Sequence, residues 1–297
     1  MSPLLNRILF ITALLVIIPC KASFSYDQNN PIGTLAPLLD EAEKTPPEKK
    51  ASEEIFLKGD VLFCTGDDPA AAANNRAAEK MLAGEFTAAS EILEDALKHS
   101  PLFFPFRYNL GICYLHIDRL DRALFNLNRA AAIVPEFSKT YLQIGFVYQL
   151  MQRDDEAMDQ FRQALKMNRS ELNGYIYIGD IYFERGQAGM AKRYYEAALK
   201  VDPRFPNGLL GMAKVHYHEK RYIHAINILR AIDISGEYDK SLHYYYAEAS
   251  YRLRDYSMAA VQFRKLLRHT DDRFFITNSV SLIEHKLEMS ERLAGEK

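Results

Sequence analysis

Residues 173–203 read NGYIYIGDIYFERGQAGMAKRYYEAALKVDP. The stretch divides at Gly186, a residue that eases a tight turn. In its second half Ala191 and Tyr195 are four apart and Ala198 follows three later, so the three share one helical face. Pro203 stops that helix because it cannot donate the next backbone hydrogen bond. The stretch therefore predicts a helix, a short turn and a second helix.

The same key residues recur on both sides. The small residues of the first helices are Ala77, Gly111, Gly145, Gly179, Ala213 and Ala247, each 34 residues after the last. Those of the second helices are Ala89, Ala123, Ala157, Ala191, Ala225 and Ala259, again at steps of 34. Small residues let two helices approach closely. Large ones then fill the gaps: Tyr114, Tyr148 and Tyr182 on first helices, and Leu127, Phe161, Tyr195 and Phe263 on second helices. Pro101 and Pro135 repeat the stop of Pro203. Six units follow, at 70–103, 104–137, 138–171, 172–205, 206–239 and 240–273.

The end units are atypical. Arg76 and Lys80 stand in the first unit where Ile144 and Tyr148 stand later. In the fifth, Ile232 replaces the recurrent alanine and Ser235-Gly236 ends the helix in place of proline. Residues 274–297 predict a final helix that caps the array, with Val280, Ile283 and Leu287 on one face.

Upstream, Arg7 precedes an apolar run from Ile8 to Ile18, and Cys20-Lys21-Ala22 places small residues about a spacer, which predicts a cleaved signal peptide over 1–22. The run spans ~16 Å as a helix, short of a ~30 Å hydrocarbon core. An uncleaved anchor and a lipidated Cys20 are the competing readings, and only these would tie the chain to a membrane. Pro19 departs from the small residue that lipidation signals place before the cysteine. Residues 23–50, with Pro31, Pro37, Pro46 and Pro47 among Glu-Lys clusters, read as a disordered linker. Residues 51–69 read as an N-terminal capping segment whose apolar period, Ile55 to Phe63, is ambiguous between helix and strand. The expected destination is export to the periplasm or envelope.

Composition narrows the function. Net charge is −2, so bulk electrostatics draw the chain neither to nucleic acid nor to an anionic surface. The 18 Tyr and 17 Phe fall mainly on packing rows rather than on a base-stacking surface. There is no phosphate loop, G-x-S-x-G elbow or H-E-x-x-H motif. His216 and His218, two apart, lie on different helical faces and make poor joint metal ligands. Asp154-Asp155-Glu156 opens a helix, where acids suit the dipole. Asn168-Arg169-Ser170 matches a glycosylation sequon in an inter-unit turn. No catalytic constellation, metal site or cofactor is predicted. Cys64 and Cys113 leave a disulfide between the N-terminal segment and the array open, as it does a small buried Cys113.

A 34-residue helix–turn–helix unit with these two small-residue rows resembles the tetratricopeptide repeat (TPR). The resemblance covers residues 70–273. It implies an all-α fold, a right-handed TPR solenoid of six hairpins with a C-terminal capping helix. It also implies a non-enzymatic scaffold that binds a protein or peptide in a concave groove lined by first helices. The positions that match the family's groove pattern are Tyr108, Ile112, His116 and Phe146 in the early units. In the fourth unit they are Ile176, Asp180, Phe183 and Glu184. In the fifth they are Lys214, Tyr217 and His218, and in the sixth Tyr244, Glu248, Tyr251 and Arg252. The early units line the groove with apolar residues, Ile112, Leu115, Leu142, Phe146 and Leu150, and the later ones mix aromatics with charge. That suits an amphipathic helix or an extended peptide, or else cover of the apolar part by this chain's own Ile55–Phe63. Family members that grip a peptide carboxylate use basic and amide groups where Phe146, Asp180 and Glu248 stand here, so that ligand is not expected. An accessory subunit of an envelope enzyme, or of secretion or cell-wall machinery, is the alternative function.

Overall fold

The computed structural model describes residues 18–19, 54–66, 68–232, 240–268 and 280–295. Nearly all of the expected signal peptide, the 23–50 linker and the Ser235-Gly236 junction lie outside the described residues. The chain forms two compact units, Met1–Met167 and Asn168–Lys297.

The first unit starts with a small antiparallel sheet ordered β1 (Ile18–Pro19), β2 (Glu54–Lys58), β3 (Val61–Cys64). The segment of ambiguous period is thus a β-hairpin, with Ile55 opposite Cys64 and Lys58 opposite Val61. Ile55 and Leu57 point inward and are buried while Glu54 and Lys58 face water, the two-residue alternation of a half-buried strand. Six helices follow: α1 (Pro69–Leu82), α2 (Phe86–His99), α3 (Phe104–His116), α4 (Leu120–Ile133), α5 (Ser138–Leu150) and α6 (Asp154–Met167). α1 starts on Pro69 behind Asp68, whose carboxylate accepts from the Ala70 amide, a standard way to satisfy the first free donors of a helix. Each helix packs on the next.

The second unit contains α7 (Leu172–Glu184), α8 (Ala188–Val201), α9 (Pro206–His218), α10 (Tyr222–Ala231), α11 (Lys240–Arg252), α12 (Tyr256–Leu266) and α13 (Val280–Gly295). α7 to α12 form three hairpins, and α13 lies against α12.

The rows of small residues do the work their size suggests. A Cβ at Gly145 would lie 2.3 Å from the Phe161 ring, and one at Gly179 would lie 2.6 Å from the Tyr195 ring. Both distances are well inside contact, so each first helix seats a large side chain of its partner against bare backbone.

A second row is invisible in residue type. Gly84, Asp118, Gln152, Gly186, Lys220 and Arg254 all have positive φ, between 60° and 79°. Each follows a first helix and allows a reversed bond, as from Glu85 N to Lys80 O and from Arg153 N to Tyr148 O. These are the hydrogen bonds of a left-handed helix cap. Four of the six positions reach that conformation without glycine.

Candidate functional site

In the first unit the groove is already filled, and asparagines fill it. Leu62 N–H donates to Asn109 Oδ1 at 2.9 Å, and Leu62 C=O accepts from Asn109 Nδ2 at 2.7 Å and from Asn74 Nδ2 at 2.8 Å. Asn109 Nδ2 also donates to Asn74 Oδ1. One residue pair along, Cys64 N–H donates to Asn75 Oδ1 and Cys64 C=O accepts from Asn75 Nδ2, both at 2.8 Å. A carboxamide carries an acceptor oxygen and two N–H donors, so it can answer both backbone groups of one residue. Three side chains on α1 and α3 therefore grip the backbone of β3. Its apolar side chains join one cluster with Met81, Tyr108 and Ile112.

This outcome settles which occupant covers the early apolar positions. Tyr108 and Ile112 are 0% and 1% exposed, with the Tyr108 ring edge-on to Phe137 at 5.4 Å. Phe146 is buried beside Phe161. These three were expected to line an open groove; they are packing residues, because Tyr108 and Ile112 share a cluster with the hairpin and Phe146 packs on the Phe161 ring. His116 is part-buried and lies flat on Phe86, with centroids 3.9 Å apart and planes 3° apart. Burial pulls its imidazole down to about 4, so the ring is neutral. Cys64 and Cys113 are buried and share no disulfide, and burial pushes the Cys113 thiol up to about 12.

In the second unit the expected residues divide differently. Ile176 is buried in a cluster with Tyr195 and Val215 and presents no surface, a second correction. Glu248 is also buried, at 2%, so it is no open groove contact. Asp180, Phe183, Lys214, Tyr217, Tyr244 and Tyr251 are half-buried, and Glu184, His218 and Arg252 are exposed.

Two carboxylates organise this face. Asp180 Oδ1 accepts from the Tyr195 hydroxyl at 2.8 Å and lies 3.4 Å from Lys214 Nζ. Side-chain exposures of 17% and 13% put this pair in partial shelter, where Coulomb attraction is stronger than at the surface. Glu248 accepts from the Tyr217 hydroxyl at 3.2 Å and from Lys286 of α13. Burial, and then the Glu248 charge, push the Tyr217 hydroxyl up; the same causes push Tyr244 up to about 12. Both phenols stay protonated and serve as donors or ring surfaces. His218 stands edge-on to Phe183 at 4.8 Å and beside Tyr217 at 5.8 Å. The face thus offers aromatic walls with fixed, internally compensated charges. That chemistry can hold side chains of a partner.

Sequence reasoning missed four participants. Tyr195 was read as packing alone, and its ring is packing, but its hydroxyl reaches Asp180. Lys286 lies beside the apolar face of Val280, Ile283 and Leu287 and reaches Glu248. Asn75 and Asn109 carry no motif, although their spacing of 34 puts them at equal places in successive units. No group of His, Cys, Asp and Glu among the described residues could hold a metal ion. None of the described helices is long and apolar enough to cross a membrane.

Comparisons with known proteins agree with this geometry. Tetratricopeptide repeat family models match residues 80–139, 138–171 and 173–205. The TPR repeat-containing protein YpiA of Bacillus subtilis is 23% identical over 71% of this chain and 50% of its own length. BBSome complex member BBS4 of Bos taurus is 25% identical over 41% of this chain and 23% of its own length. The chain thus spans about half or less of these relatives. Among solved structures, PilF of Pseudomonas aeruginosa has a TM-score of 0.61 at 17% identity, covering 74% of this chain and 97% of that one. PilW, described as a type IV pilus biogenesis factor, has a TM-score of 0.60 at 18% identity, over 74% and 100%. At such identities the likeness bears on the fold. The chain is an all-α helical-hairpin protein of the protein-binding scaffold class. It carries tetratricopeptide repeats over residues 80–171 and 173–205.

Proposed function

We propose that this protein is an exported, non-enzymatic scaffold that captures a protein or peptide partner on the first-helix face of its second unit. Its setting would be cell-envelope or protein-complex assembly. Export is supported by the basic and apolar N-terminal run with its small-residue cleavage pattern. The observation that carries the binding role is the contrast between the two units. The first uses its groove to hold its own hairpin, whereas the second keeps Phe183, Glu184, Tyr217, His218 and Arg252 at least partly accessible. Accessible aromatic and charged side chains on a rigid helical frame are the usual anchors of a protein interface.

The test is crosslinking and pull-down with the full chain in its native host, wild type against Glu184→Lys, His218→Asp and Arg252→Glu together. These three are exposed, so the variant should melt with the wild type while losing its partner. Undiminished capture would overturn the site. Amino-terminal sequencing of the recovered protein should begin at Ser23; an intact Met1 would overturn cleavage.

A further inference from the structure

The last helix of the second unit rests on residues that the family pattern assigns to a partner. α13 packs Val280, Ile283 and Leu287 into one cluster with Tyr244, Tyr251 and Phe263. From the same side Lys286 donates to Glu248, while Tyr217 holds the other carboxylate oxygen. Glu248 is 2% exposed, and its two carboxylate oxygens are held by a cation and a hydroxyl donor. That cation comes from a helix with a narrow hold: of 16 residues, only Ile283 and Ser290 are buried. Its Leu282 is 53% exposed.

We propose that Tyr217, Tyr244, Glu248 and Tyr251 form a docking surface for a partner's amphipathic helix, and that α13 occupies it as a built-in stand-in. The occupant's chemistry is written in α13. An aliphatic residue, then three positions on a lysine, then an adjacent aliphatic residue, meet the surface as Ile283, Lys286 and Leu287 do. Glu248 reads the cation. The Tyr244 and Tyr251 rings take the aliphatic groups, as helix-in-groove recognition requires, while the Tyr217 hydroxyl holds Glu248. An acidic helix would set its charge against Glu248, and a purely apolar one would leave Glu248 without a counter-charge, so both are rejected. A partner helix of the right pattern gains access by displacing α13, and its apparent affinity is reduced by the fraction of time α13 is seated. The inference rests on the partner-binding reading above and adds the partner's chemistry.

The probe is a labelled synthetic peptide of residues 280–295, with a second peptide carrying Lys286→Glu. Each is titrated against the full chain and against full-length Ile283→Asp/Lys286→Ala, which unseats α13 in place. The expected result is at least tenfold tighter binding of the first peptide to the unseated chain than to wild type. Binding of the second peptide should be lost, and adding Glu248→Gln to the unseated chain should cost a further tenfold or more. Hydrogen exchange of α11 and α12 amides is read in parallel. Equal binding to both chains, or binding indifferent to the lysine, would overturn the proposal. So would loss of α11 and α12 protection in the unseated chain, since α13 would then be core rather than occupant. The Glu184, His218 and Arg252 variant substitutes none of the residues that seat α13. Failure of the peptide test with native capture still sensitive to that variant therefore removes this inference alone.

Discussion

At the scale of single residues, size and burial decide most outcomes. Gly145→Ala puts a methyl 2.3 Å from the Phe161 ring. Overpacking of this kind costs ~1–3 kcal/mol, whereas the same hairpin position already carries alanine at Ala77, Ala213 and Ala247. Thermal or urea unfolding of Gly145→Ala should show that loss, and an unchanged midpoint would contradict the packing account. His116 gives a pH dependence. Its folded value, about 4, lies below the ordinary 6.5, so the unfolded chain binds the proton first. Stability is therefore full above about pH 6.5 and falls as pH drops toward 4, by a loss on the order of 2–3 kcal/mol. His116→Phe keeps the stack on Phe86 and should flatten that slope in urea melts at pH 7 and pH 4.5.

At the scale of elements, backbone conformation and polar clamps carry the load. Gln152 holds φ at 60°, where a side chain costs ~1–2 kcal/mol relative to its preferred regions. Gln152→Gly should therefore stabilise the α5–α6 hairpin by about 0.5–1 kcal/mol after the entropy cost of glycine. A lower melting point would count against it. The hairpin clamp gives the opposite sign. Asn109→Leu leaves Leu62 N–H without its acceptor and Asn74 Oδ1 without its donor in a buried site, a loss of ~2–4 kcal/mol. The same variant should speed exchange of the Leu62 amide well before amides of the second unit respond. Four of the left-handed positions were illegible in the sequence because Asp, Gln, Lys and Arg do not announce the conformation. It is imposed by the cap hydrogen bonds and the packing of the next helix.

At the scale of the molecule, stability in such arrays is local and passes between neighbours. Phe263→Ala empties a fully buried site under Ile283 and should cost ~3–5 kcal/mol. Exchange should accelerate in α11 to α13 while Leu62 and Cys64 amides keep their protection. Loss of protection along the whole chain would argue instead for a single cooperative block. The candidate site also divides by unit. A charge reversal at Glu248, natural to suggest from sequence, would strand Lys286 and break a buried pair. Glu184, His218 and Arg252 are exposed, so their change disturbs the fold less than a change at Glu248 does.

Much of the architecture was legible because it is periodic. Two rows of small residues at steps of 34 fix which faces meet, and helix periodicity follows from local geometry that each segment carries within itself. The helical hairpins, the repeat family and the apolar face of the last helix were therefore determined by the sequence. Which groove positions are open was not. That depends on contacts between residues far apart in the chain: Leu62 on Asn109, Lys286 on Glu248, Tyr195 on Asp180. No local pattern marks such pairs. Only the tertiary structure shows that Tyr108 and Ile112 are closed beneath the chain's own hairpin while Phe183 is half-buried and Glu184 and His218 are exposed.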